Sequence, residues 1–316
     1  MYGIVLSNSN LAKKKLGILA QLPIDFNIVL KKTLTIGYLS MKNFFALLLF
    51  TSSVFSVQWA YAIDAELISR LEMAAHGDHR SDENKARNKY RNPVETLSFF
   101  GLKANMTVLE IAPGGGWYTE VLAPALRDTG IYVAGSYDIE VEGQPEYRYR
   151  QHRALLTQIK DQATVYGQIQ VANYSPPESR NLWKENSVDM VLTFRSSHGW
   201  LRDGMIDDVY ADFFKVVKPG GVLGVVQHRA PNNDDAEAWA KKGYVSEARL
   251  IQASEAAGFL LDGKSEINAN SKDSKDYENG VWQLPPTLAA GDKDRETYLT
   301  IGESDRMTLR FVKPVN

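Results

Sequence analysis

Apolar residues recur at helical spacing where the charged part of the chain begins. Leu67, Ile68, Leu71 and Ala75 predict an amphipathic helix over 64–75. A charge-dense polar stretch runs from His76 to Asn92. Asn92-Pro93-Val94-Glu95 then has the form of a helix start, with Asn92 as N-cap, Pro93 in the first helical position and Glu95 three residues after the cap. That helix should end near Gly101. From Thr107 onward, apolar runs of strand length alternate with helical periodicities. Strands are expected at 107–111, 131–135, 165–171, 190–194 and 222–227, and helices at 118–126, 146–160 and 206–217. One more helix should start after Ser246 and stop at Gly258 in a left-handed cap. Two last strands, 259–267 and 307–312, flank a long polar region with Trp282-Gln283-Leu284-Pro285-Pro286 in its middle. This alternation predicts an α/β, Rossmann-like sheet of seven strands, mostly parallel, with helices on both faces. With no helix between them, the last two strands should form an antiparallel C-terminal hairpin.

Upstream of this pattern lies a segment of different character. From Met41 the chain reads MKNFFALLLFTSSVFSVQWAYA, with Lys42 as a short basic region and Phe44 to Phe50 as an apolar core. Ala60-Tyr61-Ala62 gives a signal peptidase its small-x-small pattern and leaves Ile63 as the first mature residue. Thr51, Ser52, Ser53 and Ser56 interrupt the apolar run, which makes it short against the roughly 20 residues a spanning helix needs. Residues 41–62 therefore read as a signal peptide and the domain as exported to the periplasm. Either Met41 is the initiator and 1–40 is a gene-start artefact, or the segment is retained as an inner-membrane anchor. In the second case Lys13 to Lys15, Lys31 and Lys32 would hold the N-terminus in the cytoplasm. A membrane partner is expected only there. The organisation expected is thus 1–40 as an extension, 41–62 as leader, 63–91 as helix and polar linker, and 92–316 as the main domain.

Composition narrows the chemistry. The 316 residues include 36 basic and 38 acidic side chains, a net charge of −2, which argues against a nucleic-acid binder acting through bulk positive charge. There are no cysteines, so disulfide scaffolds, zinc-thiolate sites and cysteine nucleophiles are excluded. His76-Gly77-Asp78-His79 has the look of a ligand pair but lacks a third ligand in sequence, and no metal is expected.

The most informative stretch is Glu110-Ile111-Ala112-Pro113-Gly114-Gly115-Gly116-Trp117-Tyr118-Thr119, which leaves one expected strand and opens a helix. Glycines there let backbone approach a ligand, and N–H groups at a helix start bind its polar end. A dinucleotide fingerprint needs glycine where Thr119 stands, and no Gly-Lys-Ser/Thr follows to make a phosphate loop. The stretch resembles the first motif of class I S-adenosylmethionine-dependent methyltransferases, with Glu110 as its acid and Ala112, Gly114 and Gly116 at its glycine positions. Ser187-Val188-Asp189-Met190-Val191 resembles that family's entry to strand four, and Val217-Lys218-Pro219-Gly220-Gly221-Val222-Leu223 its turn into strand five. The resemblance covers about 92–314. Within the superfamily, the Pro-Gly-Gly-Gly-Trp-Tyr-Thr form and the Phe-Arg-Ser-x-His-x-Trp run resemble a group of exported bacterial proteins labelled predicted methyltransferases.

The resemblance implies S-adenosyl-L-methionine as cofactor, held by Glu110, Ala112, Pro113, Gly114, Gly115, Gly116 and Trp117. Ser136 stands where strand two should present a ribose-binding acid; Asp138, two residues on, is its substitute. Asn173 stands where the family often places an acid near the adenine amine. At the substrate face, strand four runs into Arg195 and His198 and strand five into His228 and Arg229. Either histidine suits removal of a proton from an oxygen or nitrogen acceptor, and either arginine suits clamping an anionic one. Arg87, Tyr90 and Arg91 form a lid or, more simply, a solvated face. Trp117 and Trp200 are either packing residues or stacking platforms. The reading is methyl transfer to a small-molecule or envelope acceptor. Its alternative is a non-catalytic binder of S-adenosylmethionine or a nucleoside. A hydrolase on the same sheet lacks a Gly-x-Ser-x-Gly elbow.

Overall fold

The computed structural model describes residues 65–231 and 235–315. The expected leader, the upstream extension, and residues Ile63 and Asp64 lie outside them. A first helix, α1 (65–76), precedes two short ones, α2 (Asp82–Ala86) and α3 (Asn88–Arg91). Then come α4 (Pro93–Phe99), β1 (Thr107–Ile111), α5 (Thr119–Leu126), β2 (Ile131–Ser136) and α6 (Glu146–Asp161). The helical turn α7 (Ala163–Tyr166) leads to β3 (Gln170–Asn173) and β4 (Val188–Phe194). Next are α8 (Ser197–Arg202), α9 (Ile206–Val216), β5 (Val217–His228), α10 (Ala236–Lys241) and α11 (Glu247–Ala256). The chain closes with β6 (Leu260–Ser265), α12 (Arg295–Ile301) and β7 (Arg306–Val312).

The seven strands form one sheet in the order β3-β2-β1-β4-β5-β7-β6. All pairings are parallel except β5 with β7 and β7 with β6, which are antiparallel. Central strands are buried on both faces, as a covered parallel sheet requires. Their side chains alternate between two cores. Val108, Met190 and Val222 face one core with Leu97, Val121 and Leu126; Leu109, Val191 and Leu223 face the other with Phe213 and Phe311. Helix α9 shows why such a segment folds as it does: Ile206, Val209, Tyr210, Phe213 and Val216 make one buried stripe at helical spacing.

Several expectations shift. Asn92 does not cap α4 through its side chain. It sits in the left-handed region (φ 39°, ψ 59°), and its Nδ2 donates to the Ile267 carbonyl at 2.7 Å. The strand expected over 165–171 begins only at Gln170, because Tyr166 is buried at the end of a helical turn that Gly167 (φ 69°) stops. A Cβ at Gly167 would lie 2.4 Å from Arg127 Cγ, so this is a glycine position by space as well as by angle. Helix α8 occupies a stretch read as the loop end of β4. Residues 65–91 join the core rather than trailing from it: Leu67, Leu71, Ala74 and Ala75 pack with Val108 and Tyr132.

Candidate functional site

The carboxyl ends of β1, β4 and β5 open onto a cavity of about 640 Å³, within the size range of small-molecule sites. Its floor is the expected turn. Glu110, the last-but-one residue of β1, is buried, accepts the Tyr132 hydroxyl at 2.5 Å and the Thr119 hydroxyl at 3.5 Å, and lines the cavity. Burial pushes its carboxyl up to about 7, against those hydrogen bonds and the nearby Arg195 charge, which lower it.

After β1 the chain turns on three left-handed residues, Ala112 (φ 51°), Gly114 (φ 60°) and Gly116 (φ 74°). Ala112 thus adopts a backbone conformation that favours glycine, and its N–H donates to the Gly135 carbonyl at 2.8 Å. Ala112, Pro113, Gly114, Gly115 and Trp117 all line the cavity. A Cβ built on Gly115 would meet nothing within 4 Å. Gly115 is exposed at the cavity's edge, and a side chain there would project into open space. Gly116 has a different task. It does not line the cavity, and a Cβ there would come within 2.2 Å of Gln158 Oε1, so it lets the turn press against α6.

The three residues assigned to ribose and adenine lie outside this cavity. Ser136 is buried with its Oγ 3.1 Å from His152 Nδ1. Asp138 accepts the Ser179 hydroxyl at 2.7 Å and the Glu140 N–H at 3.1 Å. Asn173 is exposed. Beyond β2 the cavity is lined instead by Tyr137, Tyr147, Arg148 and Gln151.

Three of the four substrate-face residues do meet here. Arg195 follows β4 in a left-handed conformation (φ 65°), fixed by its N–H donating to the Val226 carbonyl at 2.7 Å. His198 and His228 line the cavity with ring centroids 6.4 Å apart, and Trp282 stands edge-on to His198 at 5.7 Å. Burial holds His198 down at about 4, helped by Arg202 and Arg195, and holds His228 well below the usual histidine range for the same reasons of burial and cationic neighbours. Both rings are neutral at pH 7. His228 Nδ1 lies 2.5 Å from Ser304 Oγ, and His198 Nδ1 is buried without a partner. Arg229 is elsewhere: it grips Glu266 and Asp305 and does not line the cavity.

The arginines read as a solvated face are instead a wall of the site. Arg91 is 1% exposed; its Nε is 2.9 Å from Glu303 Oε2, and Arg87 Nε is 2.7 Å from Glu303 Oε1. Arg306 Nη1 reaches Glu303 Oε2 at 3.0 Å. These cations hold the Glu303 carboxyl down at about 2 despite its burial. Tyr90 points its edge of the segment elsewhere, into a second hollow of about 410 Å³ that Glu303 also lines. Trp117 is both packing and platform: it is 4% exposed, lines the cavity, donates its Nε1–H to the Asn84 carbonyl, and lies under the guanidinium groups of Arg80 and Arg91 at 4.6 and 4.7 Å. Trp200 also lines the cavity while packing edge-on against Phe213. His79 Nε2 lies 2.8 Å from the Glu120 carbonyl oxygen. Glu303 and Ser304 were missed by sequence reading. The available signal was their place directly before β7, whose Arg306 pairs with His228 of β5.

No family model matches the chain, and no curated protein matches it. Among solved structures it is similar to a SAM-dependent methyltransferase from Aquifex aeolicus at 15% identity, covering 73% of this chain and 94% of that one, with a TM-score of 0.48. It is also similar to the [4+2]-cyclase SpnF at 18% identity, covering 79% and 94%, with a TM-score of 0.48. A third is a phosphoethanolamine N-methyltransferase of Haemonchus contortus in complex with phosphomonomethylethanolamine and S-adenosylhomocysteine, at 14% identity over 71% and 53%, TM-score 0.47. The seven-stranded, mostly parallel sheet with its antiparallel β5-β7-β6 end is the Rossmann-like architecture the sequence led one to expect.

Proposed function

We propose that the chain binds S-adenosylmethionine in this cavity and transfers its methyl group to a small-molecule or envelope acceptor. The observation that carries the reading is the glycine turn opening at Gly115 onto a cavity that the buried carboxyl of Glu110 also lines. Glu110 would receive the ligand's ammonium, and the backbone of Pro113 to Gly115 would line its amino-acid half. When bound, the cofactor supplies an electrophilic methyl on a sulfonium.

The chain's own contribution is then to hold the acceptor in line and to exclude water. His228 is the group to hold the acceptor's proton. Ser304 engages Nδ1, which leaves Nε2 as the nitrogen not tied to the protein among the described residues. Burial keeps the ring uncharged at neutral pH, and in the tautomer that donates Nδ1–H to Ser304 Oγ the lone pair of Nε2 is free to take a proton. The ring's low basicity favours a second reading, a binder without turnover, since such a ring is a weak proton acceptor. We place the domain outside the cytoplasm, on the leader-like pattern of 41–62.

Gly115→Tyr tests the pocket directly. Gly115 has ordinary backbone angles and free space around it, so the variant should melt within about 2 °C of the parent. Its affinity for S-adenosylhomocysteine in calorimetry should fall by more than about tenfold, or 1.4 kcal/mol. Unchanged affinity would remove the turn from the site. Label transfer from S-adenosylmethionine to an envelope extract separates enzyme from binder.

A further inference from the structure

Charge in the cavity wall is out of balance. Among the described residues, five arginines line it (Arg87, Arg91, Arg148, Arg195 and Arg202) against two carboxyls, Glu110 and Glu303. Arg202 is matched by Asp203 at 2.7 Å, outside the lining. Arg148 lies over the Tyr137 ring at 5.2 Å. Glu303 alone serves Arg87, Arg91 and Arg306. Two terminal nitrogens of Arg91, Nη1 and Nη2, are buried with no hydrogen-bond partner. The Arg195 side chain makes no ion pair or hydrogen bond among the described residues; it is half-buried, lines the cavity, and leaves β4 in a left-handed conformation.

Burying guanidinium groups without counter-charge is costly, and such groups persist where an anion completes them. Glu303 does not complete them: its two oxygens are shared by Arg87, Arg306 and the Nε of Arg91, which leaves both Nη groups of Arg91 and the whole Arg195 fork without an acceptor among the described residues. Nor does S-adenosylmethionine balance the account. It brings one carboxylate but also an ammonium and a sulfonium, so its arrival leaves the wall at least as positive. A planar guanidinium fork is suited to a carboxylate or phosphate group.

We infer that the cavity has a second seat, formed by Arg195 and Arg91 beside His198 and His228, for an oxyanion carried by the methyl acceptor. The acceptor class is thus a carboxylate- or phosphate-bearing molecule. The anion seat itself stands on the wall's own arginines; that its ligand is the methyl acceptor, and that the cofactor's seat is separate, rests on the methyl transfer proposed above.

The test is calorimetric titration of inorganic phosphate, and separately of acetate, into the full chain, alone and saturated with S-adenosylhomocysteine. One of the two anions should bind with one-to-one stoichiometry while S-adenosylhomocysteine is present, and which one does so identifies the group. Arg195→Gln should weaken that binding by about tenfold or more, while S-adenosylhomocysteine affinity stays within about threefold. Arg195→Lys, which keeps charge but loses the fork, should fall between; it serves also if the glutamine variant does not fold. The inference is overturned if neither anion saturates the wild-type chain by about 50 mM, which corresponds to less than roughly 2 kcal/mol. It is equally overturned if S-adenosylhomocysteine displaces the anion, which would then have been sitting in the cofactor carboxylate's place, or if both Arg195 variants bind as the parent does. Anion binding without any S-adenosylhomocysteine binding would sink the cofactor reading and leave the anion seat standing.

Discussion

Glu110 and Ala112 sit two residues apart and carry opposite kinds of stress. Glu110 is a carboxyl held protonated by burial, with its midpoint raised from 4.5 to about 7. A raised acid favours the folded state while it is protonated, so the ligand-free chain should lose this contribution as the pH rises from about 4.5 through 7. A ligand ammonium reverses the preference, because it is attracted to the carboxylate. Affinity for S-adenosylhomocysteine should therefore climb up to about tenfold per pH unit approaching 7 from below, and level off above it. Calorimetry across pH 5.5 to 7.5 checks this, and Glu110→Gln should flatten the slope. Ala112 stores its stress in the backbone, since φ of 51° is expensive for any residue with a Cβ. Ala112→Gly should raise unfolding free energy by about 0.5–1 kcal/mol after the entropy of glycine is counted, read from urea midpoints. A decrease would show that the alanine methyl is packed rather than strained.

At the level of elements, the opening helix α1 belongs to the core. Leu71 is 1% exposed and packs into the same cluster as Val121 and Tyr132. Leu71→Ala should cost about 2–5 kcal/mol, measured by chemical denaturation, and a cost under about 0.5 kcal/mol would make α1 a surface appendage. Its periodicity was plain in the sequence, as were α9 and every strand but β3, because the apolar spacing records their burial; β3, half exposed, starts five residues later than that spacing predicts. The residues whose conformation is set by distant partners were not legible. Asn92 leaves the cap because Ile267, far along the chain, offers its carbonyl. Tyr166 turns helical because its ring finds a core position. In the site, the turn from Glu110 to Trp117 announced itself, since positive φ and close approach demand glycine. Arg91 did not: a charged residue in a polar run gives no sign that a carboxylate more than two hundred positions later will bury it.

For the whole molecule that carboxylate is the fastener. Glu303 holds Arg87 and Arg91 from before the sheet and Arg306 from its last-formed strand. Glu303→Gln would leave buried guanidinium groups without their shared counter-ion, and should cost about 3–5 kcal/mol. The carboxyl is depressed from 4.5 to about 2, so its stabilisation is complete above pH 4.5 and is lost as pH falls towards 2. Acid unfolding of the parent and the variant should accordingly converge near pH 2. Midpoints that stayed apart there would assign the stability to some other group.

The bond between Arg87 and Glu303 spans 216 positions, which has a consequence in time. A ribosome delivers the cationic wall early and its sole shared partner almost at the end. Until Glu303 is added, the nascent chain must keep the Arg87 and Arg91 guanidinium groups in water, so this wall of the cleft closes only late in synthesis. A polypeptide that stops short of Glu303 lacks the shared counter-ion of Arg87 and Arg91, however well its central sheet forms.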